Sequence, residues 1–293
     1  MKEEIANDVA AWPVTPTGLP APHLSGPPPY VDFDPLVSSG QLVPDSKLLG
    51  VRRLFRIASH NASFRRLCLT DERIVSPVRC ILGNDLKLVQ SMALLKPPGT
   101  GEKRWHQDQG VFRLTHPEKG SSCVVGWWIA LDTADADNGC MHFHPGSQHK
   151  GIVHHMLPVP ASATAHIHYS VAEAPPAEET VYVPLDPGDA LLFDVACVHG
   201  TPANNSKRPR QALQMQYAPS DARPTRCPRG VAIDVVAEVG AIFDAQDCTP
   251  SEQRHVTPWF DCDADFRCTE PQFWSYRKAE ATVCGRLFDA ECI

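Results

Sequence analysis

No stretch of the chain approaches the ~20 consecutive apolar residues that a membrane-spanning helix requires. A basic stripe is missing too. The net charge of −7 is spread along the chain, and the short basic patches (Arg52-Arg53, Arg65-Arg66, Lys207-Arg208) read as solvated faces, so neither a membrane nor a nucleic-acid backbone is an expected partner. There is no GxGxxG after a strand and no Walker loop, which leaves nucleotide binding without support. The eleven cysteines include no CxxC pair, which argues against zinc ribbons and thioredoxin-like redox chemistry. Their odd number, in a chain of 293 residues with 43% hydrophobic content, suits reduced thiols in a core better than a disulfide scaffold. The first residues are acidic, without the apolar run of a secretory signal, and Glu291-Cys292-Ile293 is neither a peroxisomal address nor a prenylation box. The expectation is a cytoplasmic protein, whose sequons at Asn61 and Asn204 do not meet the glycosylation machinery. Nothing in the sequence points to an oligomeric state, an internal repeat or a domain linker.

Proline punctuates residues 13–29, where a missing N–H excludes helix and inner strand. Residues 1–30 are therefore read as an extended arm and 31–293 as one domain, with an extension from about 220. From Asp45 to Leu82 the spacing is helical: Leu48, Val51, Leu54 and Phe55 fall on one face, and Asp71-Glu72 open a second helix that runs to Gly83. After Asp85 the character turns to β. Leu86–Leu95, Ser122–Leu131, Met141–His144, Val181–Pro184, Ala190–Phe193 and Gln211–Tyr217 are short strands parted by turn residues such as Asp137-Asn138-Gly139 and Pro145-Gly146-Ser147. Such a series predicts a mainly β sandwich or barrel with helices on its outside. The extension is pinned to the body, on this reading, by Trp259, Phe260, Phe273, Trp274 and Tyr276.

Three features carry chemistry. His106 and Asp108 stand two apart on a segment read as extended, so both side chains point one way. His199 follows the strand Ala190–Phe193, and Arg210 comes eleven residues later. Two histidines and a carboxylate form the facial triad of non-haem Fe(II) oxygenases, which leaves three metal positions open.

With those residues, Lys96-Pro97-Pro98-Gly99, Trp105–Asp108, Trp128, Asp137–Cys140, Pro145–Ser147, Pro187–Ala190 and His199-Gly200-Thr201 occur in an order that resembles the phytanoyl-CoA dioxygenase family. The resemblance covers roughly residues 45–220. It implies a double-stranded β-helix (a cupin-like jelly roll) and an enzyme using Fe(II), 2-oxoglutarate and O2 to hydroxylate a small organic substrate, with release of succinate and CO2. By position it makes His106, Asp108 and His199 the catalytic iron ligands. It gives Arg210 and Thr201 to the distal carboxylate of 2-oxoglutarate, and sets Gln90, Met92 and Trp128 around the same cosubstrate. A carboxylate at position 108 argues against a halogenase, because halide needs that coordination site.

Met141-His142-Phe143-His144 departs from the aliphatic residues more usual in the family, and the two histidines share a face that could look into the barrel. A structural role for them is the simpler reading. His154-His155, His166 and His168 fall in a loop-like, proline-containing insert and are expected at the surface; Asp132 and Asp194 suit turns. Two alternatives stand beside the oxygenase: a cupin-like metalloenzyme that does not use 2-oxoglutarate, and a jelly roll that only binds a ligand.

Overall fold

Period-two alternation decides which side chains of each strand meet between two facing sheets. The computed structural model describes residues 1–11, 30–34, 37, 44–55, 57–112, 114–120, 123–153, 155–156 and 170–224, with short strands at 241–242, 256–260 and 282–283. The strands are β1 (Tyr30–Phe33), β2 (Val51–Phe55), β3 (Leu86–Lys96), β4 (Lys103–His106), β5 (Leu114–Thr115), β6 (Val125–Ala130), β7 (Met141–His144), β8 (His155–Met156), β9 (Ser170–Val171), β10 (Val181–Val183), β11 (Ala190–Asp194), β12 (Val198–Thr201), β13 (Arg210–Pro219), β14 (Arg223–Pro224), β15 (Ala241–Ile242), β16 (Val256–Phe260) and β17 (Thr282–Val283). The larger sheet runs β1-β2-β3-β13-β6-β11-β17, with β16 beside β3; the smaller runs β10-β7-β12-β4. Between them lies an apolar interior that joins Trp128, Leu191, Phe193 and Ala212 of the larger sheet to Met141 and Phe143 of the smaller. The fold is a jelly roll, mainly β and largely antiparallel, as the resemblance implied.

The outer face of the larger sheet is covered by helices. Trp127, Ile129, Leu213, Met215 and Tyr217 pack there against Phe64 and Leu67 of the helix Ala62–Thr70 and Ile74, Val75 and Val78 of the helix Glu72–Leu82. The caps follow from the sequence: Asn61 and Asp71 accept hydrogen bonds from the backbone N–H groups of Ser63 and Arg73. Trp127 Nε1 donates to the Ile74 carbonyl at 3.0 Å and Tyr217 Oη to that of Cys68 at 3.1 Å, so the two largest rings on this face each hold a helix.

Two readings need correction. Residues 1–30 do not begin as an extended arm: Lys2–Ala11 is a helix whose Ile5 and Val9 enter the outer core. Its apolar i, i+4 pair decides this, whereas the proline-rich residues 13–29 fall outside those described. Residues 51–55, read as helical, form β2, which pairs antiparallel with β1 and β3. The β1–β2 register shifts between Val51 and Arg53, so Val51 opposite Phe33 and Leu54 opposite Val31 enter the same core three residues apart, and that bulge imitates helical spacing. His154, His166, His168, Phe273, Trp274 and Tyr276 lie outside the described residues, and Trp259 and Phe260 are described only as part of β16. Among the described residues no helix is long and apolar enough to cross a membrane.

Candidate active site

β4 and β12 are antiparallel neighbours in the smaller sheet, and their pairing sets His106 directly opposite His199. Asp108 comes from a different element. It begins the short helix Asp108–Phe112 immediately after β4, so the carboxylate reaches the histidines through a strand-to-helix corner and not along one extended run, as the sequence suggested. That corner is held by Gln107. Its side-chain amide donates to the carbonyls of Ala196 (2.6 Å) and Gly151 (2.9 Å), and its oxygen accepts from the Val153 N–H (2.9 Å). The turn before β12 is pinned likewise: Ser147 Oγ donates to the His144 carbonyl and accepts from the Val198 N–H.

One ligand atom from each of His106, Asp108 and His199 lies within 4.8 Å of the others. Both imidazoles are locked into one tautomer. Each Nδ1 sits 2.8 Å from a backbone carbonyl, Arg104 for His106 and Cys197 for His199, so Nδ1 carries the proton and Nε2 offers its lone pair. His106 Nε2 stands 3.2 Å from Asp108 Oδ1 and His199 Nε2 3.7 Å from Asp108 Oδ2. Burial, helped by the positive charge of Lys103, takes His106 down to about 3 and lowers His199 as well. Burial alone would raise the Asp108 carboxyl, but the His106 and His199 rings and the Lys103 charge beside it outweigh that and hold the group well below the carboxylate range. The result is two neutral imidazoles and one carboxylate, the protonation state a divalent cation requires.

Gln214 and Gln216 on β13 both donate to Asp108 Oδ2, the first at 3.0 Å, which leaves Oδ1 facing His106. Sequence reasoning missed this pair, although the signal was present: Arg210, Gln214 and Gln216 share one face of a strand whose other face carries Leu213, Met215 and Tyr217. Gln90 and Met92 stand directly opposite Gln216 and Gln214 in the β3–β13 ladder and so share the face that looks at Asp108.

Arg210 is buried in the interior with its guanidinium carbon 5.2 Å from the Trp128 ring centroid. Its Nε and Nη1 have no hydrogen-bond partner, and neither has the equally buried Trp128 Nε1. Burial lowers its pKa to about 10, which leaves it fully charged at neutral pH. A buried cation with unused donors costs several kcal/mol unless an anion joins it. The donor set therefore fits a carboxylate beside a metal, the arrangement that 2-oxoglutarate and Fe(II) require. Thr201 Oγ1, on the same strand as His199, accepts a hydrogen bond from Lys96 Nζ at 2.9 Å.

His142 and His144 do not look into the barrel. The inward residues of β7 are Met141 and Phe143, and Phe143 stacks on His199 at 5.6 Å. His142 lies on the opposite face, stacked on Trp105 at 3.7 Å between ring centroids, and His144 meets Glu179 at 3.2 Å. Asp194 accepts from the Ala196 N–H and Asp132 from the Gln211 N–H; both serve turns or strand ends, as expected.

Two facing sheets around a buried His–Asp–His set define a jelly-roll protein with a two-histidine, one-carboxylate metal site. The chain belongs to the phytanoyl-CoA dioxygenase (PhyH) family, whose sequence profile matches residues 41–212. It is 28% identical over 168 residues to the peroxisomal phytanoyl-CoA dioxygenase of Rattus norvegicus, covering 56% of this chain and 48% of that protein. It is 34% identical over 149 residues to phytanoyl-CoA dioxygenase domain-containing protein 1 of Bos taurus, half of each chain. A methylphosphonate hydroxylase of Gimesia maris is 29% identical over 170 residues, 57% of this chain and 59% of that one. The chain thus spans about half the length of the curated relatives it matches. Among solved structures, EctD from S. alaskensis with bound Fe shares the fold, with a TM-score of 0.53 and 22% identity over 79% of this chain and 71% of that one.

Proposed function

We propose that this protein is an Fe(II)- and 2-oxoglutarate-dependent oxygenase that hydroxylates a C–H bond of a small organic substrate. The observation that carries the reading is Arg210, a buried guanidinium with two unpartnered nitrogens in the same interior as the His106–Asp108–His199 set. A cupin-like enzyme that makes no use of 2-oxoglutarate has no need for that charge.

His106, Asp108 and His199 would hold the metal. When bound, Fe(II) and 2-oxoglutarate supply the oxidising power for C–H cleavage as the cosubstrate is converted to succinate and CO2. The protein's own part is placement. The Arg104 and Cys197 carbonyls fix the tautomer so that each Nε2 is aimed inward, burial keeps both imidazoles neutral, and Gln214 and Gln216 hold one oxygen of Asp108 so that the other faces the metal. Arg210 binds the distal carboxylate through its planar fork, with Trp128 Nε1 available as a further donor. Phe143 and Phe193, both packed on His199, exclude water from that side of the centre. Hydroxylase and dioxygenase chemistry stands in the names of several relatives, which supports the reaction type and leaves the substrate to be found by screening.

Succinate release is the test, measured over a panel of small organic acids with and without added Fe(II) and 2-oxoglutarate. Substrate-stimulated succinate that needs both additions supports the proposal. Product formation at full rate without 2-oxoglutarate sinks it in favour of the cupin-like alternative.

A further inference from the structure

His142 takes no part in the metal site, yet its ring is fixed against the strand that presents His106. It lies flat on the half-buried Trp105, with 3.7 Å between ring centroids and 10° between planes. The two residues are not on neighbouring strands: His142 is on β7, Trp105 on β4, and β12 runs between them. Backbones two strands apart are separated by roughly 10 Å, and a side chain on the strand between them would keep the rings from stacking. The residue between them is Gly200, which pairs with His142 in the β7–β12 ladder. A Cβ there would come 2.7 Å from His142 Nε2, so the imidazole fills the place of the missing side chain and meets the indole beyond it.

His142 Nε2 is buried without a hydrogen-bond partner, a penalty that an aliphatic residue at this position would not incur. Burial takes the ring's pKa down to about 4, so it is neutral at physiological pH and offers the indole a flat, uncharged face. The stack bears on β4, the end strand of the smaller sheet. There β4 pairs with β12 alone, in a register that shifts between His199 and Thr201. Trp105 immediately precedes His106, and period two sends their side chains to opposite faces. The carbonyl that fixes His106 Nδ1 is that of Arg104, which shares one rigid peptide unit with the Trp105 nitrogen. A displaced indole therefore tilts the acceptor that orients the imidazole.

We propose that His142 and Trp105 are positioning residues for the metal: their stack across Gly200 clamps the edge strand β4 to β7 and holds His106 in its ligating orientation. The inference rests on the metal site of the reading above and is independent of the cosubstrate. It also gives a role to a histidine that departs from the aliphatic residues more usual in the family.

The test is a double-mutant cycle read in Fe(II) affinity by anaerobic calorimetry, with melting temperature measured on the same samples. His142→Ala and Trp105→Leu are each expected to weaken Fe(II) binding roughly tenfold, and the double variant little more than either, because both remove one contact. His142→Phe keeps a neutral flat ring and is expected to recover most of the loss. His142→Leu fills the space without a planar face, and it takes the place of His142→Ala in the cycle if that variant folds poorly. Native Fe(II) affinity in the ring-less variant, losses that add in the double variant, or no recovery with Phe overturns the clamp. A native protein that binds no Fe(II) overturns instead the metal reading beneath it.

Discussion

At the scale of single residues, what separates this site from an ordinary buried His–Asp cluster is the set of groups behind the ligands. Gln214 and Gln216 both spend an amide on Asp108 Oδ2, so loss of either frees the carboxylate to rotate. Gln214→Ala and Gln216→Ala should each weaken Fe(II) binding by roughly 10–100-fold, the usual cost of removing a hydrogen bond to a ligand, with little change in melting temperature. Anaerobic metal titration checks this, and unchanged affinity in both variants would show that Asp108 needs no support from β13. Lys96 yields a prediction with a definite sign in pH. Burial and the charges of Arg210 and Arg52 lower its pKa from 10.5 to about 6, against the opposing pull of Glu102 and Cys140. Between those two values the unfolded chain binds a proton that the folded chain lacks, so stability should rise with pH across that window. Denaturant melts at pH 6.5 and 9 should show native stability gaining on Lys96→Met as pH increases. A constant difference between the two proteins would contradict a strongly lowered lysine.

At the scale of elements, β4 and β12 present the histidines, and their register shifts between His199 and Thr201, where Gly200 runs close to β4 and to His142. A Cβ on Gly200 would meet His142 Nε2 and the Lys103 carbonyl oxygen, each at 2.7 Å. Gly200→Ala is therefore expected to destabilise the fold by about 1–3 kcal/mol and to weaken Fe(II) binding, since His199 is the preceding residue. Calorimetric melting and metal titration measure both effects, and a variant with native melting and native affinity would remove the packing argument. Much of this arrangement was legible in the sequence. The helix that opens at Asp71-Glu72, the strands from Leu86 onward and the grouping of His106, Asp108 and His199 follow from local chemistry or motif order, whereas Asn61, which caps a helix, reads in the sequence only as a sequon. The failures share a cause. The bulge in β2 spaces Val51 and Leu54 as a helical turn would, and strand parity alone does not say which face of β7, that of His142 or that of Phe143, meets the core. The Gln214–Gln216 support and the Lys96–Thr201 contact each need two strands side by side, and pairing between distant segments is not written in either one alone.

At the scale of the whole molecule, the jelly roll divides its labour between two interiors. One lies between the larger sheet and the helices, where the few polar groups, such as Ser91 and Tyr217 Oη, bond to helix backbone; the other lies between the sheets and gives way to polar groups around the metal site. The helix Lys2–Ala11 belongs to the first, and Ile5→Ala should cost about 2–5 kcal/mol in denaturant melts while leaving Fe(II) affinity intact. Loss of metal binding in a folded Ile5→Ala protein would mean that the two interiors are coupled. The central claim is that this second interior holds Fe(II) and 2-oxoglutarate together. Anaerobic addition of both to the native protein, to Arg210→Ala and to Asp108→Ala, followed by the weak visible charge-transfer band of the chelate, tests it most directly. The account predicts a band in the native protein, a weaker one at equal 2-oxoglutarate in Arg210→Ala and none in Asp108→Ala. Native protein that binds Fe(II) yet shows no band at any 2-oxoglutarate concentration would contradict it.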